Sequence, residues 1–486
     1  MIIGKSARRT SGQPARPVAT RGWLVGTVIM TAAVYPQDTP RRSTCREVNV
    51  ARSGNAVFDA GGSIPPGKRG PSPRQRYAVY CGEAAGRKCR PAAQLDFSRS
   101  GRSGWMASYV PCQDNPTIGV RVPIYWSAEW GLRITQGLKT VMQKIRIGFI
   151  GAGENTRKKH LPGFQAIAGV DLLGVANRTR ESGNRVAEAF NIARVYEHWQ
   201  ELIEDRDIDA VCIGTWPYLH AEATIAALAA GKHVLCEARM AMNAGEAAEM
   251  LAAAQRSNCV AMLVPSPFGL KGDRTMRRLL AEGYLGQVRE IYVRGLTSVA
   301  ADATAPLHWR QRSDLSGMNV LTLGILNETV QRWFGIARSV VAHSQCFVPR
   351  RIDPATGLLQ DADVPDSVAV IAQQAIGATC VYHVSGVAYH AGAMRIEAYG
   401  SDGTLVYDLA SDEILGAKAG ESVLAPISIP PEEAGRWQVE EDFIAAIREG
   451  RPITHTSFVD GVKYMRFTEA VHRSAAEGRR VTLAEL

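Results

Sequence analysis

A pair of glycines gives the first sign of chemistry in this chain. Residues 144–164 read KIRIGFIGAGENTRKKHLPGF, a β-branched run that leads into a glycine-rich turn and then into a basic, helix-competent stretch. In a dinucleotide-binding βαβ unit, Gly151 would permit the tight turn and Gly153 would let the backbone approach a pyrophosphate. The third position of the GxGxxG pattern is Thr156 instead of Gly or Ala, so the motif alone is a weak signal.

The elements that follow this loop strengthen the hypothesis. Four short apolar runs, VDLLGVANR, DAVCIGT, KHVLCEA and CVAMLVP, alternate with stretches of helical spacing. This alternation predicts an α/β fold with a parallel, doubly wound Rossmann sheet, in which ligands bind at the carboxyl ends of the strands. Arg178, Thr215 and Glu237 fall at that rim.

The end of the second predicted strand indicates the cofactor. NAD-binding proteins place an acid about 20 residues after the glycines, where it binds the ribose 2′-hydroxyl. This chain has Asn177 and Arg178 at that point, and Arg180 follows. Because guanidinium groups attract a 2′-phosphate and can bind it in a bidentate manner, we predict NADP, with NAD as the second choice.

Charge and cysteine usage exclude several classes of protein. Residues 1–141 contain 21 Lys+Arg and 7 Asp+Glu, a balance of +14, whereas the remaining 35 Lys+Arg and 40 Asp+Glu give −5. A nucleic-acid partner is therefore not expected for the folded part. The nine cysteines show no metal-ligand spacing, so we expect no metal site, and buried thiols such as Cys212 and Cys236 suit a reducing compartment. Without a run of 18 apolar residues, we predict a cytoplasmic protein with no membrane span.

Residues 1–141 lack a sustained helical or strand period and are rich in Arg, Gly, Pro and Ser, which is typical of a mostly disordered leader. Two other interpretations stay open. The apolar run at 22–35, preceded by Arg8 and Arg9, has the length of a signal-peptide core, although the arginines lie far from it. Alternatively, translation begins at Met142, two residues before the first predicted strand, and this is the interpretation we favour.

The organisation of the chain changes near residue 265. We predict a Rossmann domain over 142–264 and an α+β domain over 265–486, with helices at 317–335 and at the C-terminus and a large, mostly antiparallel open sheet between them. The C-terminal helices are expected to pack back on the first domain. Because one face of an open sheet lacks helices, we expect a homo-oligomer that pairs through this face.

Several blocks of this chain together resemble the glucose-fructose oxidoreductase/inositol dehydrogenase (Gfo/Idh/MocA) family. They are GFIGAG, DAVCIGTWPYLHAEATIAALAAGKHVLCEA, EGYLGQVREI, DLSGMNVLTLGI, DFIAAIREGRPI and EAVHRSAAEGRRV. The resemblance implies a nicotinamide cofactor and a sugar-like or cyclitol substrate. Its cofactor-binding positions fall on seven residues of this chain: Gly151, Gly153, Asn155, Thr156, Thr215, His220 and Glu237.

The resemblance fails at the acid/base positions. Where the family has Lys and Pro after its Glu, this chain has Ala238 and Arg239, and where the later helix has Asp and His, this chain has Thr322 and Leu326. Hydride transfer from a carbinol requires the hydroxyl proton to leave, and leucine cannot accept a proton.

Other residues are therefore candidates for the chemistry. We predict Arg239, Asn327 and Glu328 as catalytic groups, although Glu328 would also fit an exposed helix carboxylate. Tyr292, Tyr382 and His383 are further proton donors that the sheet could supply. Lys271 and Trp309 are the predicted substrate-binding residues, and their alternative is packing in surface loops.

Two functions from different classes follow. One is an NAD(P)-dependent oxidoreductase of a sugar-like or cyclitol substrate with an atypical proton relay. The other is a non-catalytic, regulatory protein that binds a dinucleotide and a ligand but has lost the catalytic Lys and His.

Overall fold

The computed structural model describes residues 144–486 apart from 266–268 and 454, and the backbone of seven short strands before them. The chain divides into two compact units, Met1–Val141 and Met142–Leu486. The strands of the first unit are Val48–Arg52, Tyr77–Cys81, Pro91–Ser100, Gly104–Pro111, Arg121–Ile124, Trp126–Ser127 and Gly131–Leu132. The first five of them pair antiparallel in chain order. The run at 22–35 lies outside the described residues, and the interpretations of 1–141 stay predictions.

The second unit begins with the predicted Rossmann sheet, which is confirmed. Its six described strands are parallel and run in the sheet order third, second, first, fourth, fifth, sixth. In chain order they are Ile145–Ile150, Val170–Ala176, Arg194–Tyr196, Ala210–Ile213, His233–Cys236 and Ala261–Leu263. The strand order reverses between the first and fourth strands, where open α/β sheets bind their ligands.

Helices cover both faces of this sheet. They are the π-helix Thr156–His160, which continues as Leu161–Gln165, then Arg180–Phe190, Trp199–Glu204, His220–Ala229 after the 3₁₀ turn Pro217–Leu219, and Ala244–Arg256. Two of them begin at side-chain caps, because Thr179 accepts the N–H of Ser182 and Asn243 accepts the N–H of Glu246. Among the described residues, no helix combines the length and the apolar character needed to cross a bilayer.

The second sheet is large, mixed and mostly antiparallel, as predicted. In sheet order its nine described strands are Ala425–Ile427, Glu413–Lys418, Gly403–Asp408, Arg395–Gly400, Val288–Leu296, Thr379–Ser385, Ser367–Gln374, Ala337–Gln345 and Val481–Thr482. The pair Val288–Leu296 and Thr379–Ser385 is parallel. Buried and exposed residues alternate along Ser367–Gln374, so one face packs on a core while the other is open.

Smaller elements and helices complete the second domain. The strands Arg350–Ile352 and Leu359–Asp361 form a separate hairpin. The helices are Asp273–Ala281, the 3₁₀ turn Trp309–Gln311, Ser313–Ser316, Leu323–Phe334, Val439–Glu449, Phe458–Glu477 and the 3₁₀ turn Leu483–Glu485.

The last two long helices contact the Rossmann domain. Phe443 packs edge-on against Phe164, with ring centroids 6.3 Å apart. Val462 and Met465 join the apolar core that surrounds the strand Ala210–Ile213. The same helix, Phe458–Glu477, also covers the inner face of the second sheet through Phe467, so it ties the two domains together.

The predicted helix at 317–335 is wrong at its beginning. The helix begins only at Leu323, because residues 317–322 form a loop that is held against the Rossmann domain. The N–H of Met318 donates to the carbonyl of Met242 at 2.8 Å, and the amide of Asn319 donates to the carbonyl of Ala241 at 2.8 Å. These bonds outweigh the helical spacing of the sequence.

Gly317 makes this loop contact possible. Its φ is +62°, and an added Cβ would lie 2.2 Å from the carbonyl oxygen of Met242. We therefore expect Gly317→Ala to lower the free energy of unfolding by about 2–4 kcal/mol, measured by denaturant titration. Gly357→Ala is the matched control, because Gly357 has φ +71° but no described atom within 4 Å of an added Cβ. It should cost about 1 kcal/mol, and equal costs for the two variants would contradict the packing argument.

Candidate active site

The glycine loop packs tightly on the loop that follows the fourth Rossmann strand. Gly151 has φ +80°, and an added Cβ would lie 2.6 Å from the methyl of Thr215. Thr156 is buried and donates its hydroxyl to the carbonyl of Gly151 at 3.3 Å. A Cβ at Gly214 would lie 2.1 Å from that hydroxyl oxygen. The threonine at the third motif position is thus accommodated because residue 214 is a glycine.

Gly153 differs from Gly151 in one respect. Its φ is outside the left-handed region, and an added Cβ would meet, among the described residues, only the carbonyl oxygen of Gly214 at 3.6 Å. The packing of the chain therefore does not demand a glycine at position 153. The space that the missing side chain leaves above the loop suits the close approach of a pyrophosphate to the backbone.

Asn177 and Arg178 lie beside this loop but have different roles. The Asn177 side chain accepts the N–H of Ala152 at 2.7 Å and donates to the Ser182 hydroxyl at 3.0 Å, so it orders the loop. The guanidinium of Arg178 is exposed and lies 5.2 Å from the ring centroid of Trp216. Arg180 is paired with Glu197 at 3.6 Å, which leaves Arg178 the better placed of the two arginines for a phosphate.

Trp309 joins this side of the site from the second domain. Its indole stacks on that of Trp216, with centroids 5.6 Å apart and planes 15° apart. The guanidinium carbon of Arg310 lies 4.3 Å from the ring centroid of Trp309. Two guanidinium groups and two indoles thus form a ladder, Arg178–Trp216–Trp309–Arg310, that runs from one domain to the other. Sequence reasoning named Trp309 but not its partner Trp216.

His220 supports the wall of the site. It is buried, and its two ring nitrogens lie 3.0 Å from the carbonyl oxygen of Arg239 and 3.1 Å from that of Thr215. Burial lowers the pKa of His220. The ring of His220 therefore connects the ends of two strands. The hydroxyl of Thr215 also has a partner within the chain, because it donates to the carbonyl of Trp216.

Glu237 is the centre of a chain of hydrogen bonds. Its Oε1 accepts from the side-chain amide of Asn155 and lies 3.1 Å from His160 Nε2. The opposite nitrogen of His160 lies 2.5 Å from Glu440, which also accepts the indole N–H of Trp437 at 2.7 Å. Sequence reasoning missed His160 and Glu440. The π-helical turn that aims His160 inward has no simple pattern, and Glu440 lies 280 residues further along the chain.

The pKa values of this chain of groups are strongly shifted. Burial by itself lowers the pKa of His160, but hydrogen bonds and charges from Glu237 and Glu440 outweigh it and raise the pKa to about 9. Burial raises the pKa of Glu237, but His160, Asn155 and the N–H of Ala238 together lower it to about 2. Glu237 is therefore a carboxylate and His160 an imidazolium at neutral pH.

Arg239 is held in a strained conformation next to Glu237. Its φ is +65°, and its guanidinium donates to the carbonyl of Leu321 at 2.7 Å, a residue whose φ is +45°. Non-glycine residues with such left-handed backbone angles cluster at functional sites. Burial, followed by the charge of Arg310, lowers the pKa of Arg239 to about 10, so the group remains a cation at neutral pH.

The helix Leu323–Phe334 holds the predicted groups Asn327 and Glu328 in buried contacts. Leu326 is buried and packs toward Gly295 of the second sheet. Asn327 is buried and accepts the hydroxyl of Tyr382 at 2.9 Å. Glu328 is not an exposed helix carboxylate, because it is buried and bound by Thr456 at 2.8 Å and by Arg332 at 3.4 Å.

The remaining candidates lie outside this cluster. Tyr292 and His383 are exposed on the open face of the second sheet, and the hydroxyl of Tyr292 donates to Glu290 at 3.1 Å. Lys271 is exposed, and its backbone N–H donates to Asp412 at 3.1 Å. The structure brings together Arg178, Trp309, Arg239 and the loop glycines, whereas it places Tyr292 and His383 on another surface. Among the described residues, no cluster of His, Cys, Asp or Glu could hold a metal ion.

The fold and this rim of strand ends define a Rossmann domain that is followed by a domain with a large, mixed sheet. Residues 145–264 match the family model described as "Oxidoreductase family, NAD-binding Rossmann fold", and residues 274–406 match the "GFO/IDH/MocA C-terminal domain". The chain belongs to the Gfo/Idh/MocA family of oxidoreductases.

Its relatives are named dehydrogenases and reductases. Levoglucosan dehydrogenase of Pseudarthrobacter phenanthrenivorans is 24% identical over 400 residues, which cover 71% of this chain and 100% of that protein. The dTDP-3,4-didehydro-2,6-dideoxy-alpha-D-glucose 3-reductase of Streptomyces violaceoruber is 32% identical over 193 residues, 39% of this chain and 54% of that one.

Solved structures agree in fold. Levoglucosan dehydrogenase in complex with NADH and levoglucosan has a TM-score of 0.63 at 24% identity, covering 70% of this chain and 100% of that chain. An oxidoreductase domain protein from Kribbella flavida has a TM-score of 0.61 at 25% identity, with the same coverage.

Proposed function

We propose that this protein is an NADP-dependent oxidoreductase of a sugar-like or cyclitol substrate. The observation that carries the proposal is the space at Gly153. The packing of the chain does not require a glycine there, and a pyrophosphate would fill the space that a side chain would otherwise occupy. Gly151, Gly153 and the N–H groups at the start of the next helix would hold the phosphates. Trp309, which stacks on Trp216 at the rim, would contact the substrate from the second domain.

Arg239 would stabilise the negative charge that develops on the substrate oxygen. The bound nicotinamide would supply hydride transfer. The oxygen of the substrate must also lose a proton on oxidation or gain one on reduction. Arg239 remains protonated because its pKa is about 10, so it would stabilise a developing alkoxide as a hydrogen-bond donor. Asn327 accepts a hydrogen bond from Tyr382 and Glu328 accepts one from Thr456, and these bonds argue against either residue as the base. The proton relay would therefore differ from the Lys and His arrangement of the family.

A second function, binding of dinucleotide and ligand without turnover, is favoured by one observation. Leu326 fills the position of the missing His and packs against the sheet at Gly295, which leaves no proton acceptor at this point. Turnover distinguishes the two functions. Reduction of NADP by the full-length protein with levoglucosan or a cyclitol supports the enzyme, and binding of cofactor without any turnover across such substrates supports the regulatory protein.

The two loop glycines give a direct test of cofactor binding. We expect saturable binding of NADPH to the full-length chain, followed by nicotinamide fluorescence, and a Kd at least about tenfold higher in Gly153→Ala, because a Cβ would occupy the pyrophosphate space. The stability of Gly153→Ala should match the wild type, whereas Gly151→Ala should unfold more easily because of its φ of +80° and the contact with Thr215. Unchanged NADPH binding in Gly153→Ala would contradict the proposed site.

Arg178 should decide the choice between NADP and NAD. Its guanidinium is exposed at the end of the second strand and would meet a 2′-phosphate, so Arg178→Asp should raise the Kd for NADPH by about tenfold or more and improve binding of NADH. Arg185→Asp, on the exposed face of the following helix, is the matched control. If the ratio of the two affinities is the same in both variants, Arg178 does not contact the phosphate.

We further propose that two copies of the chain pair through the open face of the second sheet. A row of neighbouring side chains crosses four strands on this face, in the order Val341, Ile371, Val381 and Tyr292. Ile371 is 57% exposed and Val341 40% exposed, so the row presents apolar area to solvent. A second copy would bury it across a two-fold axis.

Light scattering tests this pairing. The full-length protein at micromolar concentration should have twice the mass of the chain, and Ile371→Asp should halve it, because a carboxylate in the centre of the row would lose its water on pairing. Val459→Asp, at an exposed position elsewhere, is the control and should leave the mass unchanged. A monomeric mass for the wild type would remove the proposal.

The thiols favour a reducing compartment, and we expect a cytoplasmic protein. The described cysteines are all free, and Cys212, Cys236 and Cys380 are buried. Burial raises the pKa of each of these thiols, which disfavours the reactive thiolate. Fractionation of the native cell would test the location.

A further inference from the structure

The chain of hydrogen bonds from Trp437 to Glu237 connects the C-terminal segment with the edge of the Rossmann sheet. It passes through Glu440 and through His160, which is fully buried. Glu440 also packs closely against the first helix, since a Cβ at Gly163 would lie 2.7 Å from its carboxyl group. The proposed binding of cofactor and substrate assigns no role to either His160 or Glu440.

The geometry of the hydrogen bonds defines the charges. Both oxygens of Glu440 accept, one facing His160 and the other facing the indole N–H of Trp437. Both oxygens of Glu237 also accept, from Asn155 and His160 at one oxygen and from the N–H of Ala238 at the other. Each ring nitrogen of His160 therefore faces a carboxylate oxygen, and the raised pKa of the ring keeps both nitrogens protonated. Two carboxylates and one imidazolium leave a net charge of −1 on this group.

The position of Glu237 relates this charge to a dinucleotide. Glu237 follows the fifth Rossmann strand, whereas Arg178 follows the second, and the glycine loop lies between them. A dinucleotide lies across the sheet at the switch point with its phosphates at the glycine loop. If Arg178 marks the adenosine half, Glu237 lies on the nicotinamide half.

The charge of the nicotinamide changes during the reaction, because the ring is cationic when oxidised and neutral when reduced. A fixed carboxylate close to the ring therefore stabilises the oxidised form more than the reduced form. A carboxyl group that took up a proton at working pH would lose this discrimination.

We propose that His160 and Glu440 are positioning residues that keep Glu237 ionised and fixed, so that its charge favours the oxidised nicotinamide relative to the reduced one. This inference rests on the proposed binding of NADP. It assigns to the C-terminal segment, through Glu440, a part in setting the relative affinities of the two cofactor forms.

Other charged or titratable groups also face this cluster. Around Glu237 they come from the strand ends and from the second domain, and around His160 from the first helix: Cys212, His220, Cys236, Arg239, Arg310 and Lys159. The two arginines oppose the charge of Glu237. All six groups are retained in every variant below, so each substitution alters only the cluster itself.

The test is the ratio of Kd for NADP⁺ to Kd for NADPH, measured on the full-length protein between pH 5.5 and pH 8. NADPH binding is followed by nicotinamide fluorescence, and NADP⁺ by competition against NADPH. The 2′-phosphate titrates in both forms and cancels in the ratio. In the wild type the ratio should be constant over this range, because His160 stays protonated below about pH 9 and Glu237 stays ionised above about pH 2.

His160→Gln should make the ratio depend on pH. Without the imidazolium, the pKa of Glu237 rises, so its carboxyl group takes up a proton as the pH falls. The ratio should then increase by about three- to tenfold from pH 8 to pH 5.5, because NADP⁺ loses affinity and NADPH does not. A purely structural role for His160 predicts instead that both affinities fall by the same factor at every pH.

Glu440→Gln gives a second, independent variant. It removes one negative charge but leaves Glu237 beside His160, so the ratio should rise by about threefold or more at pH 5.5, where His160 is protonated. The rise should diminish toward pH 8, because the loss of Glu440 lowers the pKa of His160. Glu441→Gln is the matched control on the same helix, because Glu441 is exposed and paired with Arg436 at 2.5 Å. This control should keep the wild-type ratio.

The outcomes separate the two proposals. If the wild type binds neither NADP⁺ nor NADPH, the proposed function fails and this inference fails with it. If the wild type binds both and the ratio in His160→Gln is the wild-type ratio at every pH, only the inference is overturned. Should His160→Gln fail to fold, an unchanged ratio in Glu440→Gln overturns it equally.

Discussion

The site depends on the close contact between two loops at the switch point of the first sheet. Gly151 and Gly214 face each other with no room for a side chain, and the hydroxyl of Thr156 occupies the space that remains. Because protein interiors tolerate so little change in volume, this contact allows one conformation of the glycine loop. The loop in turn sets the direction of the helical turn that carries Asn155 and His160 toward Glu237. A small steric constraint therefore places Asn155 and His160 where they meet Glu237, which follows another strand.

The parts of this molecule that could be predicted are those that depend on local patterns in the sequence. Short apolar runs alternating with helical spacing predicted the parallel sheet, and the change of organisation near residue 265 predicted the second, mostly antiparallel sheet. Arg178 and Glu237 were placed at the rim by the rule that parallel strands end on one edge. Each of these inferences needs only neighbours along the chain.

The remaining parts depend on contacts between distant segments. Glu440 meets His160 across 280 residues, and Trp216 meets Trp309 across a domain boundary. The helix at 317–335 was predicted too long because its first turn has helical spacing but makes tertiary hydrogen bonds instead. Glu328 was predicted as a catalytic group, with an exposed helix carboxylate as the alternative, yet Thr456 and Arg332 bind its carboxylate inside the protein. Sequence periodicity carries no information about such partners.

The stacked pair of Trp216 and Trp309 gives this protein an optical property of its own. The indoles belong to different domains, lie 5.6 Å apart and are tilted by only 15°. Indole rings this close couple their excited states, so they contribute to circular dichroism as a pair and not as two separate rings. Any separation of the domains that breaks the stack would uncouple them. The signal of this pair therefore reports, without an added label, whether Trp216 and Trp309 are stacked.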